Sequence, residues 1–206
     1  METTNQVYGQ HQPVFGADWF SPVIPVWEEF LGRYRGQPEV RMLEVGSYEG
    51  RSALWLMENI LTHETARLDC IDVFKEDGLK EAGSSFDILE RFRHNLAPYA
   101  AKVAWHQGRS QAVLRRGEFS PETCKKYDVI YIDGSHEARD VLEDAVLAYR
   151  LLKVGGLLIF DDFEYVGWVE GFRNPKTAIL SFFGVYKQQF KLLHKSRQFV
   201  LERIRE

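Results

Sequence analysis

The chain has 206 residues, 45% of them hydrophobic, and a formal net charge of -4. One ordinary core fits that length, so a single domain over residues 1–206 is expected. There is no basic face of the kind nucleic acid requires and no apolar run long enough to cross a membrane, so neither partner is expected.

The N-terminus is polar and lacks the apolar stretch of a secretory leader. Cys70 and Cys124 stand far apart with no metal-type spacing. Both read as reduced thiols of a cytoplasmic protein. Basic pairs such as Arg115-Arg116 and Lys125-Lys126 read as solvated surface.

Residues 1–38 are expected to form an N-terminal substrate and lid segment, in which residues 1–19, with Gly9, Pro13 and Gly16, are irregular and a helix begins after Ser21-Pro22, a cap followed by proline in the first turn. That helix carries Ile24, Trp27, Phe30 and Leu31 on one side, and Gly32 to Pro38 breaks it. From Val40 onward strand and helix alternate, the pattern of a parallel sheet with crossover helices. The expected strands are Val40–Val45, Leu68–Val73, Val103–His106, Asp128–Asp133 and Leu157–Phe160. The expected helices are Ser52–Leu61, a segment capped by Ser84-Ser85 and carrying Phe86, Leu89, Phe92 and Leu96, and Glu137–Leu152, which Gly155-Gly156 ends. After Asp162 the pattern changes. Pro175–Phe183 reads as a helix, and Gln189–Leu193 and Gln198–Ile204 read as a hairpin turning at His194–Arg197. The fold class is α/β, a doubly wound, mostly parallel sheet with an antiparallel strand at its C-terminal end. Residues 40–206 form its ligand-binding core.

The most informative stretch is Met42-Leu43-Glu44-Val45-Gly46-Ser47-Tyr48-Glu49-Gly50-Arg51-Ser52. An apolar strand ends in an acidic residue, a turn with two glycines follows, and a helix begins. That is the layout of a nucleotide-type site at the carboxyl end of the first strand of an α/β sheet. Glycine lets backbone approach a ligand, and the new helix offers free N–H groups to an anion. The spacing Glu-x-Gly-x-x-x-Gly is not that of dinucleotide binders. An acid just ahead of the turn disfavours a pyrophosphate and suits a cationic ligand whose far end is a carboxylate. S-adenosylmethionine has that form.

The remaining strand ends also carry acids. Asp72, followed by Val73, closes the second strand 22 residues after Gly50, where a carboxylate accepts both hydroxyls of a ribose, or else caps a helix. After the third strand, Ser110-Gln111 offers a hydroxyl and an amide to an adenine edge, and Ser110 equally serves as an N-cap. Asp133 ends the fourth strand and Asp161-Asp162 the fifth. Three carboxylates in one small space cannot all stay ionised without a positive partner. A hard divalent cation such as Mg²⁺ is the natural one. His136, three residues past Asp133, stands on the same rim and can take a proton near neutral pH.

Together these residues resemble the class I S-adenosylmethionine-dependent methyltransferases. Among these the metal-dependent O-methyltransferases of the catechol O-methyltransferase type, and small bacterial methyltransferases related to them, are the most similar. The likeness rests on Leu43–Ala53, Gly108–Gln111, Tyr127–His136 and Leu152–Asp162. It implies a seven-stranded sheet with its last strand antiparallel. It implies that Gly46, Ser47, Tyr48 and Ser52 cradle the methionine end of the cofactor, with Asp72 on the ribose and Ser110-Gln111 at the adenine. The catechol-type enzymes hold their metal with two Asp and an Asn. This chain has Asp162 where Asn is common, and His136 where those enzymes carry a lysine base.

The expectation is therefore a methyltransferase that binds S-adenosylmethionine through Glu44, Gly46, Ser47, Tyr48, Gly50, Ser52, Asp72, Val73, Ser110, Gln111 and Asp133. Mg²⁺ or another divalent cation would sit on Asp133, Asp161 and Asp162, and His136 with Asp133 would serve catalysis. The acceptor would be the hydroxyl of a small molecule, walled by the aromatic segment Phe15–Trp27 and by Phe163–Trp168. A metal-independent N- or O-methyltransferase and a non-catalytic cofactor-binding module remain as alternatives, and a homodimer remains open.

Overall fold

The computed structural model describes residues 11–75, 87–120, 122, 126–164 and 171–206. Seven strands form one sheet: β1 Arg41–Val45, β2 Arg67–Asp72, β3 Val103–Gln107, β4 Tyr127–Ile132, β5 Leu152–Phe160, β6 Phe190–Lys195 and β7 Phe199–Arg203. Their order is β3-β2-β1-β4-β5-β7-β6. β1 to β5 run parallel, and β7 is antiparallel to both of its neighbours, β5 and β6.

Side-chain alternation along the strands puts apolar groups on both faces, so both must be covered. Leu43, Val45, Ile130, Ile132, Leu158 and Phe160 face α4 (Ser110–Val113), α5 (Ala138–Ala148) and α6 (Pro175–Tyr186), packing on Val113, Val141, Ala145, Ile179 and Phe182. Met42, Val129, Tyr131, Leu157 and Ile159 face α1 (Ile24–Leu31), α2 (Arg51–Asn59) and α3 (Ile88–Asn95), meeting Trp27, Leu31, Met57 and Phe92.

Several expected boundaries move, each for a local reason. The chain turns through a 3-10 segment, Ser21–Val23, before α1, capped by the Asp18 carboxylate, which accepts from Ser21 N at 2.9 Å and Oγ at 2.6 Å. α1 ends at Leu31 with Gly32 as its C-cap, as expected, and a 3-10 turn carries the chain on through Tyr34. α5 stops at Ala148 and a 3-10 turn, Tyr149–Leu151, leads straight into β5. Gly155-Gly156 therefore lie inside β5 and do not end a helix. The register against β4 jumps there from Tyr127↔Leu152 to Val129↔Leu157, a bulge. A side chain at Gly156 would come within 2.9 Å of the Asp128 carbonyl, so the bulge needs close backbone approach. α6 runs to Tyr186, begun by Pro175 and capped by Asn174, whose side chain accepts from Lys176 N at 2.9 Å. Ser84, Ser85, Phe86 and Cys124 lie outside the described residues. No helix among the described residues is long and apolar enough to cross a membrane.

Candidate active site

The cleft lies beyond the carboxyl ends of β1, β2, β4 and β5. At its floor, Gly46 N donates to the Ile71 carbonyl and Asp133 N to the Val45 carbonyl, both at 2.8 Å, so the turn after β1 is sewn to β2 and β4. Gly46 has φ +90°, and a Cβ there would lie 2.0 Å from the Asp133 carbonyl oxygen. Gly50, at φ +80°, is the N-cap of α2, and a Cβ there would lie 2.8 Å from Leu96 Cδ2. Both glycines are thus required by the protein's own packing. Among the described residues no side chain caps α2, so its first turn presents orphan N–H groups.

Asp72 braces this turn. Its Oδ2 accepts from Ser47 N and Tyr48 N, both at 2.9 Å, and its Oδ1 from Phe74 N at 2.6 Å. A carboxylate has about four lone-pair sites and three are used here, so one site on Oδ1 remains for a hydroxyl. The neighbouring Val73 carbonyl accepts from Gln107 Nε2 at 3.4 Å. Tyr48 (φ +46°), Phe74 (φ +49°) and Asp162 (φ +57°) all adopt left-handed backbone at the rim of this cleft. Bulky residues rarely hold that conformation, and strain of this kind gathers at functional sites.

Glu44 does not line the cavity. It is fully buried beneath the turn, where Ser52 Oγ donates to it at 2.5 Å and the Cys70 thiol at 3.6 Å. Burial pushes its carboxyl up from 4.5 to about 6. A raised carboxyl favours the folded state below its unfolded value and loses that advantage as pH rises through about 6. By pH 8 the cost reaches about 2 kcal/mol, at 1.36 kcal/mol per unit. Glu44→Gln should therefore gain stability relative to the natural protein as pH rises from 5 to 8. Melting curves of both proteins across that range test this, and a constant offset would defeat it.

The open cavity is lined by Gly46, Ser47, Tyr48, Glu49, Arg51, Ser52 and Asp133, together with Phe15, Ala17, Trp19 and Phe20. The N-terminal segment reaches it because Asn95 grips Val14 at both N (2.7 Å) and O (2.9 Å), Glu49 accepts from Gly16 N at 2.6 Å, and Arg51 stacks on Phe15 at 4.2 Å. Not all of Phe15–Trp27 is wall, since Trp27 is core and its Nε1 donates to Gln198 at 3.1 Å. Phe163 is also no wall. It is buried against Phe199, and residues 165–168 lie outside the described set.

Above the floor, one ligand atom from each of Asp133, His136 and Asp162 falls within 4.8 Å of the others. His136 Nε2 lies 2.8 Å from Asp162 Oδ2. Tyr131 donates its hydroxyl to Asp133 Oδ2 at 2.8 Å. Burial, then the charges of Asp161 and Asp162, hold the Asp133 carboxyl well above the usual range. Asp161, raised to about 6 by burial and then by Asp162, is outside that trio and has Arg197 Nε at 4.0 Å. The hydrogen bond to Asp162 raises His136. Hard oxygen donors that repel one another, with one imidazole, fit a divalent cation such as Mg²⁺ or Mn²⁺.

Ser110 and Gln111 open α4 directly after β3, where Gly108 N donates to the Asp72 carbonyl at 2.9 Å. Gln111 Nε2 donates to Asp144 Oδ1 at 3.0 Å. Nothing in the local sequence marks Asp144 as part of this unit. Its only trace there is an acid at a position of α5 flanked by the inward-facing Val141, Ala145 and Ala148, all buried.

The strand order 3-2-1-4-5-7-6, with a glycine turn after β1 and acids at the ends of β2, β4 and β5, defines a class I methyltransferase fold. Residues 43–163 match the model of the methyltransferase-domain family, and the chain belongs to that family. Over 131 residues it is 24% identical to uncharacterized protein R132 of Acanthamoeba polyphaga mimivirus, covering 63% of this chain and 54% of that protein. Over 141 residues it is 27% identical to O-methyltransferase hkm8 of Aspergillus hancockii, covering 68% and 49%. The chain thus spans about half the length of these two relatives. The fold is also that of the O-methyltransferase from Bacillus cereus in complex with SAH, with TM-score 0.64, 17% identity, and 90% of this chain and 82% of that one covered. It is similar as well to the MycE methyltransferase of the mycinamycin biosynthetic pathway in complex with Mg, SAH and mycinamycin VI, with TM-score 0.61, 16% identity, and 92% and 51% covered.

Proposed function

We propose that the protein is an S-adenosylmethionine-dependent O-methyltransferase that uses a divalent cation on a small-molecule hydroxyl. The observation that carries this reading is the Asp133–His136–Asp162 trio, within 4.8 Å, beside a cavity floored by the Gly46–Ser52 turn. The open first turn of α2 suits the cofactor's carboxylate, and Asp72 suits its ribose. Asp133 and Asp162 would hold the cation, whose chemistry when bound is to lower the pKa of a coordinated hydroxyl. His136 takes the hydroxyl proton on Nδ1, and Asp162, 2.8 Å from Nε2, orients the ring and stabilises the imidazolium that results. The aromatic wall of Phe15, Trp19, Phe20 and Tyr48 excludes water and aligns acceptor oxygen with donor methyl, so that the protein contributes mainly orientation.

Calorimetry is the first test. S-adenosylmethionine or S-adenosylhomocysteine should bind, and Asp72→Ala should weaken binding by about 1.5–3 kcal/mol, the scale of lost hydrogen bonds to a charged group. Failure of both ligands to bind, or a preference for NAD, would refute the reading. The His136–Asp162 ion pair favours a second reading, a metal-independent dyad in which the aspartate only orients the base. Anomalous scattering from Mn²⁺-soaked, cofactor-bound crystals separates the two. A peak between Asp133 and Asp162, absent in Asp133→Asn, is the expected result, and an empty site at millimolar Mn²⁺ leaves the dyad.

A further inference from the structure

Tyr131 carries a hydroxyl where packing asks for none. It lies inside β4 between Glu44 on β1 and Ile159 on β5, is 3% exposed, and sets its ring edge-to-face with Trp27 at 4.9 Å. Phenylalanine would fill the same space without the cost of burying a phenol. What the hydroxyl provides is one bond, donated to Asp133 Oδ2 at 2.8 Å. The two residues meet because side chains two apart along a strand share a face. Trp27 is held in its turn, since its Nε1 donates to Gln198 Oε1 at 3.1 Å and Phe20 packs edge-on at 4.7 Å. The phenol is therefore wedged in place beneath the carboxylate.

We infer that Tyr131 is a positioning residue for the cation, whose hydroxyl fixes the plane of the Asp133 carboxylate and so the direction of its remaining lone pairs. Each acid of the trio then has one neighbour that sets its angle, Tyr131 for Asp133 and His136 for Asp162, both at 2.8 Å. A lysine or arginine beneath Asp133 would hold the carboxylate as well, but its charge would repel the cation. An uncharged phenol orients the ligand without that repulsion. Partners of this kind, one bond removed from the metal, typically change its affinity 10–100-fold. Trp27 belongs to α1, so the seating of the N-terminal helix reaches the site through the same ring. This inference rests on the divalent-cation reading of the trio.

The experiment is Mn²⁺ titration by electron paramagnetic resonance on the whole chain saturated with S-adenosylhomocysteine, for the natural protein, Tyr131→Phe and Tyr127→Phe. Tyr127 is the control. It is a second buried tyrosine of β4, at the amino end of the strand, and its hydroxyl also donates to an aspartate, Asp69 Oδ2 at 3.1 Å. Both variants keep the ring and so the core. Tyr131→Phe should weaken Mn²⁺ roughly 10–100-fold while S-adenosylhomocysteine affinity stays within about twofold. Tyr127→Phe should leave Mn²⁺ affinity unchanged. Equal or tighter Mn²⁺ binding in Tyr131→Phe overturns the inference. So does an equal loss in Tyr127→Phe, because it would report general loosening of the sheet. If the natural protein binds S-adenosylhomocysteine but no Mn²⁺, the cation reading itself has failed, a different result from Mn²⁺ binding that ignores Tyr131.

Discussion

Gly46→Val is expected to cost the fold more than 4 kcal/mol, and cofactor binding with it. The Cβ would lie 2.0 Å from the Asp133 carbonyl oxygen and 2.5 Å from Gly134 Cα, in backbone that cannot rotate aside. Valine is also β-branched and strained at φ +90°. Relief requires parting the ends of β1 and β4, which breaks the bond from Asp133 N to the Val45 carbonyl. Losses above about 4 kcal/mol are exceptional and mark such a mechanism. For a chain of this size the melting temperature should fall by roughly 8–16 °C. Gly184→Ala is the control, because nothing lies within 4 Å of a Cβ there and the residue is within α6. It should be neutral or stabilising by up to about 1 kcal/mol. A Gly46→Val protein as stable as the natural one, with cofactor affinity intact, would show that the turn relaxes freely.

His136→Ala should lower turnover roughly 10²–10⁴-fold, the usual loss when a general base is removed. Its side chain is 45% exposed and its Nε2 reaches Asp162 at 2.8 Å, so it is open to an acceptor on one side and tied to a carboxylate on the other. Cofactor affinity should be unchanged, since His136 is not among the residues that line the cavity. Mn²⁺ affinity should hold or rise, because removing the imidazole frees Asp162 for the cation. The measurements are S-adenosylhomocysteine release with a hydroxyl acceptor found by screening, and Mn²⁺ titration by electron paramagnetic resonance. Loss of Mn²⁺ binding in the variant would make His136 a ligand, and an unchanged rate would remove it from the chemistry altogether.

Hydrophobic pattern and chain punctuation by themselves determined the alternation of strand and helix, the glycine turn after β1, the hairpin that ends the sheet and the acids at the strand ends. These are local properties, set by side-chain periodicity and by residues that permit or forbid particular backbone angles. Tertiary structure alone decided where each carboxylate points. Asp161 and Asp162 are adjacent in sequence, yet only Asp162, in left-handed backbone at φ +57°, brings its carboxylate to His136. Glu44 goes under the turn and not into the cleft, because it shares a sheet face with Met42 and meets Ser52 on the first turn of α2. Gly155-Gly156 looks the same in sequence as a helix stop or as a strand bulge, and the register of β5 on β4 chooses the bulge. Asp144 and Gln111 stand 33 residues apart, and only the docking of α4 on α5 makes them one unit. The distinction follows from the length scale of the forces. Backbone propensity acts over a few residues, whereas the partner of a buried polar group is whatever the fold carries into its 3 Å neighbourhood.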